Sequence, residues 1–488
     1  KNVVYAVFIR QNYLQLVNIE DCKSYKLKKE IIVKNVVSPI LIHNSKAIIL
    51  PNGTNPQAYD LTNGELLWKV SIEPEKKKFL KKYNLGKKFH WDVWGGGTLD
   101  LKYNQVIFST ANAKPSFVSK GREGPNLFYN SVVSINLENG KYNWHFQEIE
   151  HDLLNLDLAS RPALYDSTKK DMVVQASKTG QLILLDRKTG EPLENFQEKI
   201  FHHDNKNFFI TKFKKFDNWL QFSKRNFTEK DYNNLDSKYE KEAKKIISES
   251  LIANYRRLSK NKHYIHYGMH GGSEWPGIGV DSTGNVIIPA SNIAWVSKLK
   301  DPKDFDFKTH IKNIFFSFLD LFTLNFNQFK KNEKKIIKNF NQILNYKKLK
   351  IEKYQRFETK EGIPLNAPPW GTITLINLKD KKIKWSVPHG KYNLIKNRYS
   401  NTGAEVFGCP VIAGSEVIFI SGTRDKNIYA YDLKNGNLLW EDQLPFISYG
   451  CPIIASYDGS FYLIIDASGG RKFIKQGYGD AIVAYKLK

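Results

Sequence analysis

Apolar and β-branched residues alternate with polar ones over short runs along most of the chain, and Asn-Gly, Asp-Gly and Pro-containing breaks separate the runs. A period of two punctuated by turn residues predicts β-strands joined by hairpins. The runs also repeat. Residues 58–68 (AYDLTNGELLW), 134–144 (SINLENGKYNW) and 430–440 (AYDLKNGNLLW) follow one template: a strand, an Asn-Gly turn, and a second strand ending in Trp. Weaker copies occupy 184–193 (LLDRKTGEPL) and 375–385 (LINLKDKKIKW, with Lys381 where the turn glycine would be), and 16–26 (LVNIEDCKSYK) is a degraded sixth. Asn-Gly supplies the positive φ angles of a tight hairpin.

Another strand pair precedes the template, as in 38–50 (SPILIHNSKAIIL), 408–420 (GCPVIAGSEVIFI) and 450–465 (GCPIIASYDGSFYLII). Four strands per unit follow, and the terminal Trp is placed to wedge between neighbouring sheets. The spacing is 76 residues from Trp68 to Trp144 and 55 from Trp385 to Trp440, a blade with loops of varying length. Repetition of this kind predicts an all-β fold, a β-propeller of four-stranded blades.

Two Lys-rich segments break the pattern. Residues 201–263 read as an excursion between blades, with a helix over 228–258 opened by Thr228 and Asp231 in the manner of a capping box. Residues 300–358 join an apolar stretch, 314–326, to a basic run, 330–350, and read as a second, partly helical insertion. The latter suits either a flap packed on the propeller or an interfacial helix making peripheral contact with an anionic membrane. Otherwise a single propeller domain spans 1–488.

Composition narrows the classes. Aromatics make up 13% of 488 residues, enough for a large core, so global disorder is excluded. No stretch reaches the roughly 18 consecutive apolar residues of a membrane span, and no secretory signal is visible at the start. The net charge of +25 is spread over surface-like positions and the two insertions, without the clean basic stripe of a nucleic-acid reader, so no nucleic-acid partner is expected. Three cysteines (Cys22, Cys409, Cys451) without CxxC or CxxCH exclude a zinc ribbon and a c-type haem and permit one disulfide at most. Cys409 and Cys451 sit in equivalent Gly-Cys-Pro positions, read here as a mark of repeat ancestry and not as a bonded pair.

A propeller carries no chemistry by itself. Specific strings add it: Trp94-Gly-Gly-Gly-Thr-Leu-Asp100, Ser109-Thr-Ala-Asn112, Ser131-Val-Val-Ser-Ile-Asn136, Trp144-His-Phe-Gln147, His151-Asp-Leu-Leu-Asn-Leu-Asp157, Ser177-Lys-Thr-Gly180, Glu274-Trp-Pro-Gly277, Pro368-Pro-Trp-Gly371 and Gly479-Asp-Ala-Ile-Val-Ala-Tyr485. Their order resembles the pyrroloquinoline quinone (PQQ)-dependent dehydrogenases, nearest to the membrane-bound quinoprotein glucose dehydrogenase type, over nearly the whole chain outside the insertions. The resemblance implies an eight-bladed propeller with PQQ in its central funnel, Ca²⁺ or Mg²⁺ beside it, an Asp base, and periplasmic oxidation of an alcohol or sugar with electrons passed to a quinone or cytochrome c. Because no CxxCH is present, the electron acceptor is external.

The same resemblance assigns roles. Trp94 lies under the quinone ring, against the alternative of blade-core packing, and Trp275 borders the cofactor. Lys178 bonds the quinone oxygens, where the competing reading is a solvated turn lysine. Asn112 is a metal ligand through its carbonyl or else a turn residue. Asp425 is near the cofactor, or is a loop carboxylate paired with Arg424 or Lys426.

Three departures matter. The family's base follows Trp in His-Asp-Leu-Trp-Asp-x-Asp, and here these positions are Leu154 and Asn155. A neutral amide accepts no proton from an alcohol and offers a cation only a carbonyl. Asp157 follows, placed in an extended strand one period on, about 6–7 Å along, as a substitute. The glucose branch's Gly-Gly-His is Gly469-Gly470-Arg471. The first blade is expected to be missing, leaving the ring open. Asn155 therefore motivates an alternative function, a catalytically degenerate propeller serving as a binding or assembly module.

Overall fold

The computed structural model describes residues 5–10, 12–18, 23–25, 27, 29–71, 91–117, 122, 124–201, 211–217, 220–254, 258, 262–268, 270–300, 350–395, 401–470 and 477–487. Among them are nine small, mainly antiparallel sheets of three or four strands, and one helix. Four-stranded units run from Leu41–His43 to Leu66–Lys69, from Gly97–Asp100 to Tyr142–Gln147, from Gly279–Val280 to Lys382–Pro388 and from Val411–Ala413 to Leu438–Gln443. Ala163–Tyr165 and Ile453–Tyr457 open three-stranded units. The first strands of these six units neighbour one another in chain order, so the sheets radiate from a common centre. This is the propeller arrangement that the repeats predict.

Burial follows from that geometry. Gln105–Ser109, an inner strand of its sheet, and Leu182–Asp186, the last strand of a three-stranded sheet, are buried at every position, because a sheet covers each face. The outer strand Lys382–Pro388 is largely exposed. The degraded N-terminal repeat also pairs, Leu16 opposite Tyr25, and Leu14 and Leu16 pack on Ala47 and Ile49 of the next unit.

The repeated hairpin turns are longer than the two-residue turn expected of Asn-Gly. Gly64, Gly140 and Gly436 bond back through their N–H to the carbonyls of Asp60, Asn136 and Asp432, four residues earlier. Only the glycines have positive φ (+84°, +67° and +76°); the preceding asparagines instead accept the N–H of Glu65, Lys141 and Asn437. The carboxylate or amide opening each turn accepts backbone N–H groups within it, as Asn136 does from Glu138 and Asn139. Lys381, which replaces glycine, holds a φ of +52°.

Gly64 meets the Lys29 backbone, whereas the turn glycines of later units face the preceding unit's tryptophan. A Cβ on Gly140 would lie 2.6 Å from the Trp68 ring, on Gly190 2.2 Å from Trp144, and on Gly436 2.8 Å from Trp385. Trp68 Nε1 donates to the Leu137 carbonyl at 3.2 Å, and Trp385 Nε1 to that of Leu433 at 2.9 Å. The wedge expected of the terminal Trp is thus a ring laid on the next unit's turn. A buried bidentate ion pair reinforces one such junction: Arg187 donates to both Asp100 oxygens at 2.6 and 2.7 Å.

Three expectations change. The helix is Ser237–Ser248, with Asp236 as its N-cap accepting from Lys238 N–H; Asp231 closes its own turn on Thr228. Of the second insertion, 301–349 lie outside the described residues, and Lys350–Arg356 is a strand paired with Trp295–Lys300. Cys409 and Cys451 form a disulfide across two successive units, with Cα atoms 5.0 Å apart, whereas Cys22 and Arg471 are outside the described residues. Equivalent repeat positions in adjacent blades are neighbours in space, so shared ancestry and bonding coincide.

Gly140→Val should cost about 2–4 kcal/mol in urea denaturation, from strained φ and overpacking against Trp68. Gly414→Ala shares the positive φ (+57°) but meets open space, and is expected to cost only about 1 kcal/mol.

Candidate active site

The loops leading into the inner strands converge on a cavity of about 1310 Å³, lined by Trp94, Lys114, Asn155, Asp157, Lys178, Glu274, Trp275 and Tyr354 among others. Trp94 arrives just before the strand Gly97–Asp100, and the glycine after it explains the string. A Cβ on Gly95 would lie 2.3 Å from the Ala159 carbonyl and 2.9 Å from that of Trp275, so only glycine lets these segments close together. The Trp94 Nε1 is buried with no hydrogen-bond acceptor among the described residues.

Lys178 lies in the turn between Met172–Ala176 and Leu182–Asp186. Buried Glu148 holds that turn by accepting from Thr179 Oγ1 at 2.7 Å and Gln181 Nε2 at 2.8 Å. Gly272 presses on the Lys178 backbone, where a Cβ would sit 2.6 Å from its Cα. The ammonium is therefore no solvated turn charge. It donates to Asp157 Oδ2 at 2.7 Å, with the two side chains only 4% and 10% exposed.

The segment 151–159 is a loop, and the extended strand expected for Asn155 and Asp157 is absent. His151 and Asn155 both have left-handed φ (+53° and +59°), a conformation that Asn tolerates through its short polar side chain. Asp152 organises the loop from within. Its carboxylate accepts the N–H groups of Leu154 and Leu156 and the Asn130 amide. Burial raises its pKa, only partly offset by those bonds.

Like Glu274, Asp157 lines the cavity. Its Oδ1 accepts the Asn112 N–H at 2.7 Å. Burial pushes its pKa up, but the charges of Lys178 and Lys114 and the Asn112 N–H outweigh that and hold it below the usual range. Burial acts against the Lys178 ammonium too, and Asp157 and Glu274 more than restore it. Asn155 donates through Nδ2 to the Tyr354 hydroxyl at 3.0 Å. Tyr354 and His270 both pack on Trp295, with ring centroids 4.5 Å away.

Two assigned residues stand elsewhere. Asn112 is fully buried behind Asp157, and its side-chain oxygen accepts from Lys114 Nζ at 2.8 Å. Asp425 lines a separate depression of about 340 Å³ and closes its own turn, accepting from Thr423, Tyr429 and the Lys391 and Asn427 N–H groups. Its partners are neither Arg424 nor Lys426, because backbone and hydroxyl donors already saturate the carboxylate. Lys114, His270 and Tyr354 carry no sequence motif; Glu274 lies within a recognised string.

Radial sheets around an aromatic cavity with one buried ion pair define a cofactor-binding β-propeller. The family model described as "PQQ: Glucose/ethanol/alcohol dehydrogenase, beta-propeller domain" matches residues 15–463. The chain belongs to that family. It is similar to the quinate/shikimate dehydrogenase (quinone) of Acinetobacter baylyi, 24% identical over 470 residues covering 92% of this chain and 55% of that protein. It is also similar to the quinoprotein glucose dehydrogenase of Escherichia coli, 24% identical over 460 residues, 88% of this chain and 54% of that one. The chain thus spans about half the length of these curated relatives. In fold it resembles a europium-containing methanol dehydrogenase (TM-score 0.59, 14% identity, 96% of this chain and 72% of that one). The quinohemoprotein alcohol dehydrogenase of Comamonas testosteroni is equally similar (TM-score 0.59, 16% identity, 98% and 66%).

The cavity fits the family's cofactor: it is large, walled by Trp94 and Trp275, and bears two ammonium groups suited to an anionic, flat quinone. The donors for a divalent cation do not fit. Asp157 already accepts from Lys178 and Asn112, the Asn112 carbonyl accepts from Lys114, and a hard cation needs six to eight oxygens.

Lys178→Met should destabilise the fold by about 3–5 kcal/mol at pH 7, because it strands a buried carboxylate. In the wild type the depressed Asp157 pKa contributes stability that is lost only as pH falls through the folded value. In the variant burial raises that pKa, so protonation relieves the penalty. The gap between the two, read by urea denaturation, should narrow as pH falls toward about 4.

Proposed function

We propose that this chain is the catalytic propeller of a periplasmic PQQ-dependent dehydrogenase that oxidises an alcohol or sugar and passes electrons to a quinone or a cytochrome c. The observation that carries this reading is the buried Lys178–Asp157 pair set in the wall of an aromatic cavity. When bound, PQQ supplies the two-electron acceptor for the substrate's hydride.

The chain's residues do the rest. Trp94 and Trp275 provide flat walls, and Lys114 and Lys178 set positive charge against the cofactor's carboxylates and quinone oxygens. Asp157 takes the hydroxyl proton as the C–H hydride leaves, replacing the carboxylate that relatives of the resembled type carry at position 155. Lys178 keeps Asp157 ionised and therefore able to accept. Asn155, fixed by Tyr354, offers the substrate hydroxyl a neutral hydrogen-bonding amide. The Cys409–Cys451 disulfide supports an oxidising compartment. Among the described residues no helix is long and apolar enough to cross a membrane.

The test is dye-linked oxidation of alcohols, polyols and aldoses by the full chain with added PQQ. Activity is expected, reduced about 10²-fold or more in Asp157→Asn and changed little in Asn155→Asp. Its acid limb should lie below about 4, since Asp157 stays ionised beneath the ordinary carboxylate range. A large gain from Asn155→Asp with no loss from Asp157→Asn would overturn the base assignment. No dye reduction with any substrate would leave the chain a binding module.

A further inference from the structure

The family's chemistry calls for a cation beside the quinone, and the cavity wall already holds one in covalent form. Lys114 lines the cavity two residues beyond Asn112, and its Nζ donates to Asn112 Oδ1 at 2.8 Å and Ser116 Oγ at 3.3 Å. Its charge also acts on Asp157, whose two oxygens accept from Lys178 Nζ and the Asn112 N–H. Asn155 contributes only an amide, with its nitrogen turned to Tyr354. Glu274 lines the same cavity and its charge reaches Lys178, so two carboxylates face two ammonium groups. A divalent ion placed there would meet carboxylate charge that the two lysines already balance and would find the Asp157 and Asn112 oxygens taken, whereas Ca²⁺ sites gather six to eight oxygens, usually with several carboxylates. Among the described residues no group of three or more His, Cys, Asp or Glu is placed to hold a metal.

We propose that the Lys114 ammonium stands in the place of the divalent ion, so that the cavity takes up an anionic quinone without Ca²⁺ or Mg²⁺. Asn112 and Ser116 act as positioning residues that aim the ammonium. The proposal rests on the reading of the cavity as a PQQ site. Lys114 is exposed to the cavity, so its replacement opens no void in the core.

The experiment titrates the full chain with PQQ, following quenching of tryptophan fluorescence, once in EDTA and once in millimolar Ca²⁺. Wild type and Lys114→Arg should bind equally well in both. Lys114→Gln should bind about tenfold or more weakly in EDTA, the loss of one charge-assisted hydrogen bond, and regain affinity with Ca²⁺. Calorimetric titration with Ca²⁺ alone should give no binding heat for the wild type and measurable binding for Lys114→Gln. Wild-type binding that requires Ca²⁺, or a Lys114→Gln variant that binds PQQ as well as the wild type in EDTA, would refute the substitution while leaving the PQQ site intact. Absence of PQQ binding by the wild type in either buffer would refute the PQQ site itself.

Discussion

A tryptophan ring laid on the next unit's glycine is the contact on which the architecture depends. Each sheet is too small to bury two faces by itself, so it is stable only between neighbours. The ring of Trp68, Trp144 or Trp385 covers a turn that tolerates no Cβ, and for Trp68 and Trp385 the indole N–H binds a carbonyl of the covered turn. Shape and hydrogen bond together set the angle between sheets, and the angle sets where the inner loops meet. Stability is thereby a chain of nearest-neighbour terms, as in other repeat proteins.

The site inherits its precision from that frame and from buried carboxylates that hold its loops. Glu148 ties down the loop of Lys178, Asp152 folds the loop of Asn155, and Asp100 locks Arg187 between units. Each accepts from more than one donor group, which offsets part of the cost of its burial. Asp157, which lines the cavity, differs in having an ammonium partner at hydrogen-bond distance and a second one near it. That contrast separates the scaffolding acids from the acid proposed to accept the substrate proton.

The repeats made the sheets, their turn glycines and the interlocking tryptophans legible in the sequence, because a two-residue period and a fixed turn template are local properties. Lys178 and Trp94 were legible through their strings. What escaped was long-range or conformational. The left-handed backbone at Asn155 turns an expected strand into a loop, and no residue pattern announced it. Tyr354 follows a long Lys-rich stretch that hides its strand, and Lys114 is one cation among 74 lysines and arginines. The disulfide joins residues 42 positions apart, and only the packing of two successive units closes that distance. Thr228 and Asp231 carried the right cap chemistry for the wrong turn, since Asp236 offered the same chemistry nearer the helical run.

A counter-charge carried by Lys114 is inherited with the chain and not captured from the medium. Ion scarcity and chelators then lose their hold on the site, and assembly involves one fewer encounter. The corresponding loss is adjustability. A bound ion can be exchanged for another with different acidity, whereas an ammonium on a four-carbon stem has one valence and one set of donors. Change in the reactivity of this site would have to come by mutation, at Lys114 or at the two oxygens that aim it.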